Sequence, residues 1–333
     1  MDLTGSPASA LGNQPAFNRR AIPAGAHERL WQAADGWPIR LLDWPAPDGP
    51  ARGSILFLPG RGDAYEKYLE TLEHWRRQGW QVGAADWRGQ AGSGRLGTDA
   101  VTGHIGDFGQ WVDDLAALWR DWTQRQPGPH VLAAHSMGGQ VVLRAAVDHA
   151  LHPPPDALVL STPMLGTHPE WLPDAVQQAA AHVMCLLGDP RRPAWKWSEK
   201  PGELPPGRQA LLTHDEARYA DEGWWRQARP ELVMGPGSWG WVEAAARSMR
   251  HTARADLLAG VTSPVFLLAT SGDRLVSLKA NRRAARHLPR VTYLEMGDEA
   301  RHEILREVDA VRNRALTAID AFLDRFCPPK SPG

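Results

Sequence analysis

Cysteine is almost absent from this chain of 333 residues, which contains only Cys185 and Cys327. Two cysteines so far apart in the sequence provide neither a disulfide framework nor a thiolate metal cluster. Such sparse use is typical of a reducing compartment, so we expect a cytoplasmic protein.

The chain also has almost no net charge and no long apolar run. The 37 basic and 38 acidic residues leave a formal net charge of -1, so no overall field favours nucleic acid or an anionic surface. No stretch reaches the ~18 consecutive apolar residues that a membrane-spanning helix needs. Residues 1–26 lack the basic start and apolar run of a signal peptide, and their Ala, Gly, Pro and Asn content predicts a flexible arm.

The sequence does contain a regular alternation of short apolar runs and longer amphipathic stretches. This alternation predicts an α/β fold with a mostly parallel, doubly wound sheet and helices on both faces. The predicted strands are residues 54–58, 82–86, 130–134, 157–161, 265–270 and 291–296, with an antiparallel edge hairpin from 28–32 and 39–44. The predicted helices are residues 64–78, 108–125, 137–149, 279–287 and 303–326.

The alternation stops between residues 163 and 251, a stretch that holds 7 of the 16 tryptophans. An irregular, aromatic insertion between two strands predicts a cap over the carboxyl edge of the sheet, where ligands bind in such folds. A helical appendage that only packs is the alternative. The predicted organisation is an arm at 1–26, a core at 27–162 and 252–327, the cap at 163–251 and a tail at 328–333.

The strongest motif surrounds Ser136. An apolar strand runs into His135-Ser136-Met137-Gly138-Gly139, and a helix follows at once. Such a turn needs small residues two positions before and after the serine, and it exposes the serine oxygen above the sheet edge. Ala134 replaces the usual glycine before the serine, so we expect backbone strain there. The alternative is an ordinary serine at a helix N-terminus.

A nucleophilic serine needs a base, and the base needs an orienting acid, in the chain order serine, acid, histidine. Asp273 follows the strand at 265–270 and His302 follows the strand at 291–296, so both are predicted at the edge that carries Ser136. A turn-forming aspartate and a helix-start histidine are the alternatives for these two residues.

Other acids and histidines fit these roles less well. His287 precedes a strand, Asp298 lies one strand later than expected, and His135 should point away from the nucleophile. The run Arg301-His302-Glu303 has no second histidine four residues on, so a zinc-peptidase motif is excluded.

Two backbone N–H groups are expected to hold the oxyanion of a tetrahedral intermediate. One belongs to Met137, and the other is assigned to Arg61 in the loop Pro59-Gly60-Arg61-Gly62, with an ordinary glycine-rich turn as the alternative. The stretch 86–94 lacks the Lys-Ser/Thr ending of a phosphate-binding loop, and we interpret it as a turn that braces the strands beneath the nucleophile.

Five segments, taken in chain order, resemble the lysophospholipase and monoacylglycerol lipase branch of the α/β-hydrolases. They are residues 59–62, 86–94, 135–139, the Asp273 loop and residues 301–303. The resemblance covers residues 28–326. It implies a triad of Ser136, Asp273 and His302 with Arg61 and Met137 as oxyanion donors. The sequence departs from the pattern of many relatives at Pro59, Ala91 and Ala134, and the first departure bears on Arg61.

The expected activity is hydrolysis of a carboxylic ester of a lysophospholipid or monoacylglycerol, without a metal, an organic cofactor or a nucleic acid. The tryptophan-rich cap favours an acyl chain and a transient contact with a membrane surface. The alternatives are acyl transfer, cleavage of a small ester or peptide, and a non-catalytic binding protein of this fold.

Overall fold

An eight-stranded sheet runs through the part of the chain that the computed structural model describes, residues 17–47, 49–170, 174–196 and 206–329. The strand order is β1-β2-β4-β3-β5-β6-β7-β8, parallel except where β2 pairs with β1 and β4. The predicted doubly wound sheet and its edge hairpin are confirmed. The strands are β1 (His27–Gln32), β2 (Pro38–Trp44), β3 (Gly53–Leu58), β4 (Trp80–Ala85), β5 (His130–His135), β6 (Ala157–Ser161), β7 (Val265–Thr270) and β8 (Val291–Met296).

Helices cover both faces of the sheet. The helices are α1 (Leu69–Arg77), α2 (Phe108–Arg125), α3 (Met137–Val147), α4 (Asp174–Leu186), α5 (Pro206–Leu212), α6 (Glu216–Ala228), α7 (Trp239–Thr252), α8 (Ala255–Ala259), α9 (Leu278–His287) and α10 (Asp309–Phe326). Alternate residues of β3 enter two separate cores: Ile55 and Phe57 pack with α1 and α10, and Leu56 and Leu58 pack with α2 and α3. Burial on both faces explains why the central strands are almost entirely apolar.

The last helix starts later than the sequence indicates. The prediction was a helix over 303–326, but α10 begins at Asp309 after a short 3-10 turn at Ile304–Arg306. The reason is that Glu307 and Val308 have ψ angles of 171° and 149°, which interrupt the helical backbone between the 3-10 turn and α10. His302 therefore lies in a loop.

The segment between β6 and β7 is mainly helical, and we call residues 163–251 the cap. It contains α4 to α7, with α4 packed against α7. Two of its tryptophans, Trp171 and Trp197, lie outside the described residues. Within the described ranges, no helix combines the length and apolarity needed to cross a membrane.

The end of the predicted N-terminal arm packs on the rest of the molecule. Phe17 stacks on Trp44, and the guanidinium groups of Arg19 and Arg20 both contact the carboxylate of Asp221 in α6. Residues 17–26 therefore hold fixed contacts with both the sheet and the cap, whereas residues 1–16 lie outside the described part of the chain.

Candidate active site

The predicted nucleophile sits on a strained turn between β5 and α3. Ser136 has φ 53° and ψ -120°, a left-handed conformation that a serine adopts only under constraint. A side chain at Gly138 would collide with the carbonyl oxygens of Leu58 and Pro59, so this position requires glycine. Ala134 is buried in β5 and fits without a glycine there. The local sequence thus forces the serine oxygen out of the sheet edge.

Asp273, His302 and Ser136 form a continuous hydrogen-bonded chain. The Nδ1 atom of His302 lies 2.7 Å from Oδ2 of Asp273, and its Nε2 atom lies 2.9 Å from Oγ of Ser136. An ionised carboxylate only accepts hydrogen bonds, so Nδ1 carries the proton and Nε2 is free to accept the serine hydroxyl. The structure therefore brings together the three residues that the sequence selected.

The Asp273 carboxylate is fixed by its own loop. Its Oδ1 atom accepts the backbone N–H groups of Leu275 at 2.8 Å and Val276 at 3.0 Å, which leaves Oδ2 for the histidine. Burial raises the pKa of Asp273, but His302 and these N–H groups lower it by more, so its pKa lies below the ordinary value. The group is thus an anion at neutral pH.

His302 is buried against a second histidine. Burial lowers the pKa of His302, while the carboxylates of Asp273, Glu303 and Asp63 raise it by more, so the net pKa is raised. The ring of His135 lies 4.7 Å from that of His302, and burial with this neighbour lowers the pKa of His135 to about 3. His135 is therefore neutral and packs beneath the candidate base.

Thr162 links the two histidines to the sheet. Its hydroxyl donates to the carbonyl oxygen of His302 at 2.8 Å, and the same oxygen lies 3.2 Å from Nδ1 of His135. Because the hydroxyl has a single proton, it accepts from His135. Thr162 has φ 43°, a costly conformation for a β-branched residue.

The loop after β3 lies directly against the nucleophile. A Cβ atom on Gly60 would stand 3.1 Å from Cβ of Ser136, so glycine permits the close approach. Met137 is the first residue of α3, and its N–H has no partner within the helix. The side chain of Arg61 leaves this loop for the cap, where it donates to the carbonyl of Gly235 at 2.6 Å.

A cavity of about 670 Å³ opens above the serine. Ser136 and His302 contribute to its wall, and the Arg61 guanidinium, 5.1 Å from each of two tryptophan rings, Trp195 and Trp241, forms another part. Much of the wall is apolar and comes from the cap and neighbouring loops. Its apolar residues include Met164, Leu211, Leu212, Val242, Ala245, Ala246, Met249, Leu275 and Val276.

The charged part of the wall belongs to one buried ion cluster. The ammonium group of Lys67 lies 2.9 Å from Asp63, 2.6 Å from Glu303 and 3.1 Å from Glu222 of the cap. Burial lowers the pKa of Lys67, but these carboxylates raise it by more, so the lysine stays charged. Asp63, His135 and Glu303 bring ligand-type atoms within 4.8 Å of one another, and Lys67 already supplies a cation to the two carboxylates.

The loop that carries His302 also pairs with the cap through the backbone. The N–H of His302 donates to the carbonyl of Leu211 at 3.3 Å, and that of Glu303 donates to Leu212. The hydroxyl of Thr213 donates to the carbonyl of Arg306 at 2.8 Å. The end of α5 thus runs beside the loop that carries His302 and is hydrogen-bonded to it along three consecutive residues.

Sequence reasoning missed the side chains that surround the triad. It placed His135 as pointing away from the nucleophile, and did not identify Thr162 or the Lys67 cluster. Their partners lie far away in sequence, so no local pattern marks them. Nothing in the stretch 86–94 marks the contact that Gln90 makes with the loop at residues 59–62.

Comparison with known proteins identifies relatives along nearly the whole chain. A family model for serine aminopeptidases, S33, matches residues 49–309. The chain is 31% identical over 319 residues to lysophospholipase L2 of Escherichia coli (strain K12), covering 91% of this chain and 88% of that protein. It is 24% identical over 290 residues to the probable lysophospholipase L2 of Haemophilus influenzae, covering 84% and 86%.

The fold is shared with solved structures. The crystal structure of a soluble variant of the Saccharomyces cerevisiae monoglyceride lipase matches with a TM-score of 0.71 at 18% identity, covering 93% of this chain and 99% of that one. The resemblance drawn from the motifs is thereby confirmed. The chain belongs to the serine aminopeptidase S33 family of α/β-hydrolases, in its lysophospholipase and monoacylglycerol lipase branch.

Proposed function

We propose that this protein hydrolyses a carboxylic ester of an amphiphilic lipid, a lysophospholipid or a monoacylglycerol, through an acyl-enzyme on Ser136. The observation that carries the proposal is the hydrogen-bonded chain from Asp273 through His302 to Ser136, which ends in a largely apolar cavity of about 670 Å³. Apolar walls around a few directed polar groups suit an acyl chain with an ester. The names of the relatives support the same substrate class.

In the proposed reaction, Nε2 of His302 takes the proton of Ser136 as the serine oxygen attacks the ester carbonyl. The N–H groups of Met137 and Arg61 hold the negative oxygen of the tetrahedral intermediate. The imidazolium then gives its proton to the departing alcohol, and water repeats these steps to release the fatty acid. Asp273 keeps the histidine in the correct tautomer and stabilises its charged form.

The cap gives the substrate a route from a lipid aggregate. Helix α4 and the turn after it expose Val183, Leu186 and Leu187, and Trp195 is exposed while it also lines the cavity. Exposed apolar side chains on the cap, of which Trp195 also lines the cavity, suit transient contact with a lipid surface. We therefore include such contact in the proposal.

Cleavage of peptides is less well supported. An aminopeptidase must bind the ammonium group of its substrate. This requires a carboxylate in the cavity that is not already paired with a cation of the protein. Among the described residues that line the cavity, the acids are Asp63 and Glu303, and both already contact the ammonium group of Lys67.

A fluorophosphonate probe tests the nucleophile. We expect the wild-type protein to be labelled and Ser136→Ala to remain unlabelled, with Ser161→Ala as a control for a buried serine near the turn. Equal labelling of wild type and Ser136→Ala would overturn the mechanism. Release of fatty acid from lysophospholipids and monoacylglycerols, each above and below its critical micelle concentration, then tests the substrate. Turnover confined to short soluble esters or aminoacyl amides would reject the lipid assignment.

A further inference from the structure

The loop Asp86 to Gly94 lies beneath the proposed oxyanion hole and aims two side chains at its backbone. We propose that Gln90, assisted by Trp87, is a positioning residue that sets the orientation of both oxyanion donors. This inference rests on the proposed function, because it assigns a role in the same reaction. It assigns a role to the stretch 86–94, which supplies no residue of the triad or of the cavity wall.

The first step concerns the peptide planes of the oxyanion loop. The indole N–H of Trp87 donates to the carbonyl oxygen of Pro59 at 2.8 Å, which fixes the peptide between Pro59 and Gly60. The N–H of Gly62 donates to Oε1 of Gln90 at 2.8 Å, which fixes the peptide between Arg61 and Gly62. A peptide unit is planar, so orienting one of its groups orients the other.

These two hydrogen bonds enclose the peptide that carries the Arg61 N–H. Only the torsions beside Gly60 and Arg61 separate that peptide from the two fixed ones, so its freedom to rotate is small. Gly60 would otherwise be among the least constrained residues in the chain. The side chains of Trp87 and Gln90 thus hold the donor from both sides without binding to it.

The same glutamine contacts the side chain of Met137, the residue whose backbone N–H is the second proposed donor. The Nε2 atom of Gln90 lies 3.7 Å from Sδ of Met137, the residue whose N–H begins α3. A thioether sulfur is a weak acceptor, so this contact adds little to stability. Its effect is to place one rigid amide between the two chain segments that supply the donors.

Gln90 is itself held firmly. It is 3% exposed, its N–H donates to the carbonyl of Trp87 at 2.9 Å, and its carbonyl accepts the N–H of Ser93 at 2.9 Å. The positive φ of Gly89, 76°, lets the loop close on itself. Preorganised donors contribute to catalysis because they need no rearrangement during the reaction.

The test compares Gln90→Met with Gln140→Met. Methionine keeps the length of the side chain and removes the acceptor for Gly62. We expect kcat for Gln90→Met to fall about 10- to 100-fold, less than loss of a whole donor, with KM within about threefold. Gln140 is equally buried and donates to Ser248 in the cap, so Gln140→Met controls for loss of a buried amide and should keep its kcat.

A transition-state readout separates positioning from stability. The inhibition constant of a trifluoromethyl ketone, which forms a tetrahedral adduct, should rise in parallel with the loss in kcat/KM for Gln90→Met. Equal kcat losses in Gln90→Met and Gln140→Met, or unchanged inhibitor affinity, would overturn the proposal.

A second variant covers the case in which Gln90→Met does not fold. Trp87→Phe removes the hydrogen bond to Pro59 together with part of a buried ring that lies 6.0 Å from the ring of Trp111. It carries the same expectation of reduced kcat with nearly constant KM, and an unchanged kcat would overturn the proposal. All of these measurements are ratios to wild type. If the wild-type protein is neither labelled nor active, the proposed function has failed, and that outcome is distinct from wild-type activity that Gln90 does not affect.

Discussion

The two halves of the candidate active site are held in different ways. Ser136 and Asp273 are fixed by the core: the N–H of Ser136 donates to the carbonyl of Ser161 at 3.0 Å, and Asp273 is fixed by N–H groups of its own loop. His302 and Arg61 also depend on the cap, through the carbonyls of Leu211 and Gly235. Ser136 and the Asp273 loop meet the cap at its first residues, where Met164 donates to the carbonyl of Ser136 at 2.9 Å and Ser277 donates to that of Gly166 at 2.9 Å. The His302 loop and the Arg61 side chain meet the later part of the cap, from α5 onward.

This difference indicates that the cap, besides lining the cavity, also helps to align the candidate base. The ion cluster around Lys67 joins the same two regions, since Glu222 belongs to the cap and Asp63 and Glu303 belong to the core. A movement of the cap from α5 onward would pull on the His302 loop and the Arg61 side chain, while the hydrogen bonds of Ser136 to Ser161 and Met164 would stay in place. Changes to the triad residues should therefore act on the chemistry directly, and changes to the cap residues that contact the His302 loop should act on its alignment.

The largest effect is expected on the core side, from Asp273→Asn. An amide in place of the carboxylate favours the wrong tautomer of His302, so kcat should fall about 10⁴-fold while KM changes little. Asp298→Asn is the matched control, because Asp298 is exposed in the next loop and accepts a hydrogen bond from Ser271. Hydrolysis of one ester by both variants is the measurement. Similar losses in the two would show that Asp273 is not the acid.

The choice between Asp273 and Asp298 also shows what the sequence can predict. Both follow a strand, and only the order of strands in the fold favours Asp273, which lies 2.7 Å from the histidine. The triad was predictable because each member follows an apolar strand whose carboxyl end reaches the same edge. Such evidence can be recognised in short segments of the sequence, and the order of the strands in the sheet then brings the three residues together.

The contacts that align the triad have no such local signature. The hydrogen bonds between Leu211 and His302 and between Gln90 and Gly62 join segments that are far apart in the sequence. Hydrophobic periodicity does not indicate which of these segments meet. Thr162 adopts a positive φ that its residue type disfavours, so propensity argues against the observed geometry. Tertiary packing decides these positions.

A smaller effect is expected from pH, and it tests how individual carboxylates change the pKa of His302. Burial lowers the pKa of His302, but Asp273 first, then Glu303 and Asp63, raise it above about 6.5. The base must be neutral, so kcat/KM should fall about tenfold per pH unit below this raised pKa. The acidic limb of the profile should move to lower pH in Glu303→Gln and further in Asp273→Asn. A limb that stays in place in both variants would contradict the assignment of His302 as base.

The smallest effect is expected on the cap side, from Thr213→Val. Valine matches threonine in shape but removes the hydroxyl that donates to the carbonyl of Arg306, the contact that anchors the end of α5 along the His302 loop, and that accepts the N–H of Asp215 at 3.0 Å. The lost hydrogen bond should cost about 1–3 kcal/mol of stability, and the loosened base should lower kcat by about 3- to 10-fold. Thr123→Val is the control, because the Thr123 hydroxyl is also buried and bonds within α2, away from the cap.

Urea unfolding and ester hydrolysis of both threonine variants would decide the point. If the cap aligns the base, both variants lose stability and only Thr213→Val loses kcat. Equal activity in the two would mean that the core alone holds His302, through the Thr162 hydroxyl at 2.8 Å. The distinction between the two halves of the site would then disappear, because the base would belong to the sheet together with the nucleophile and the acid.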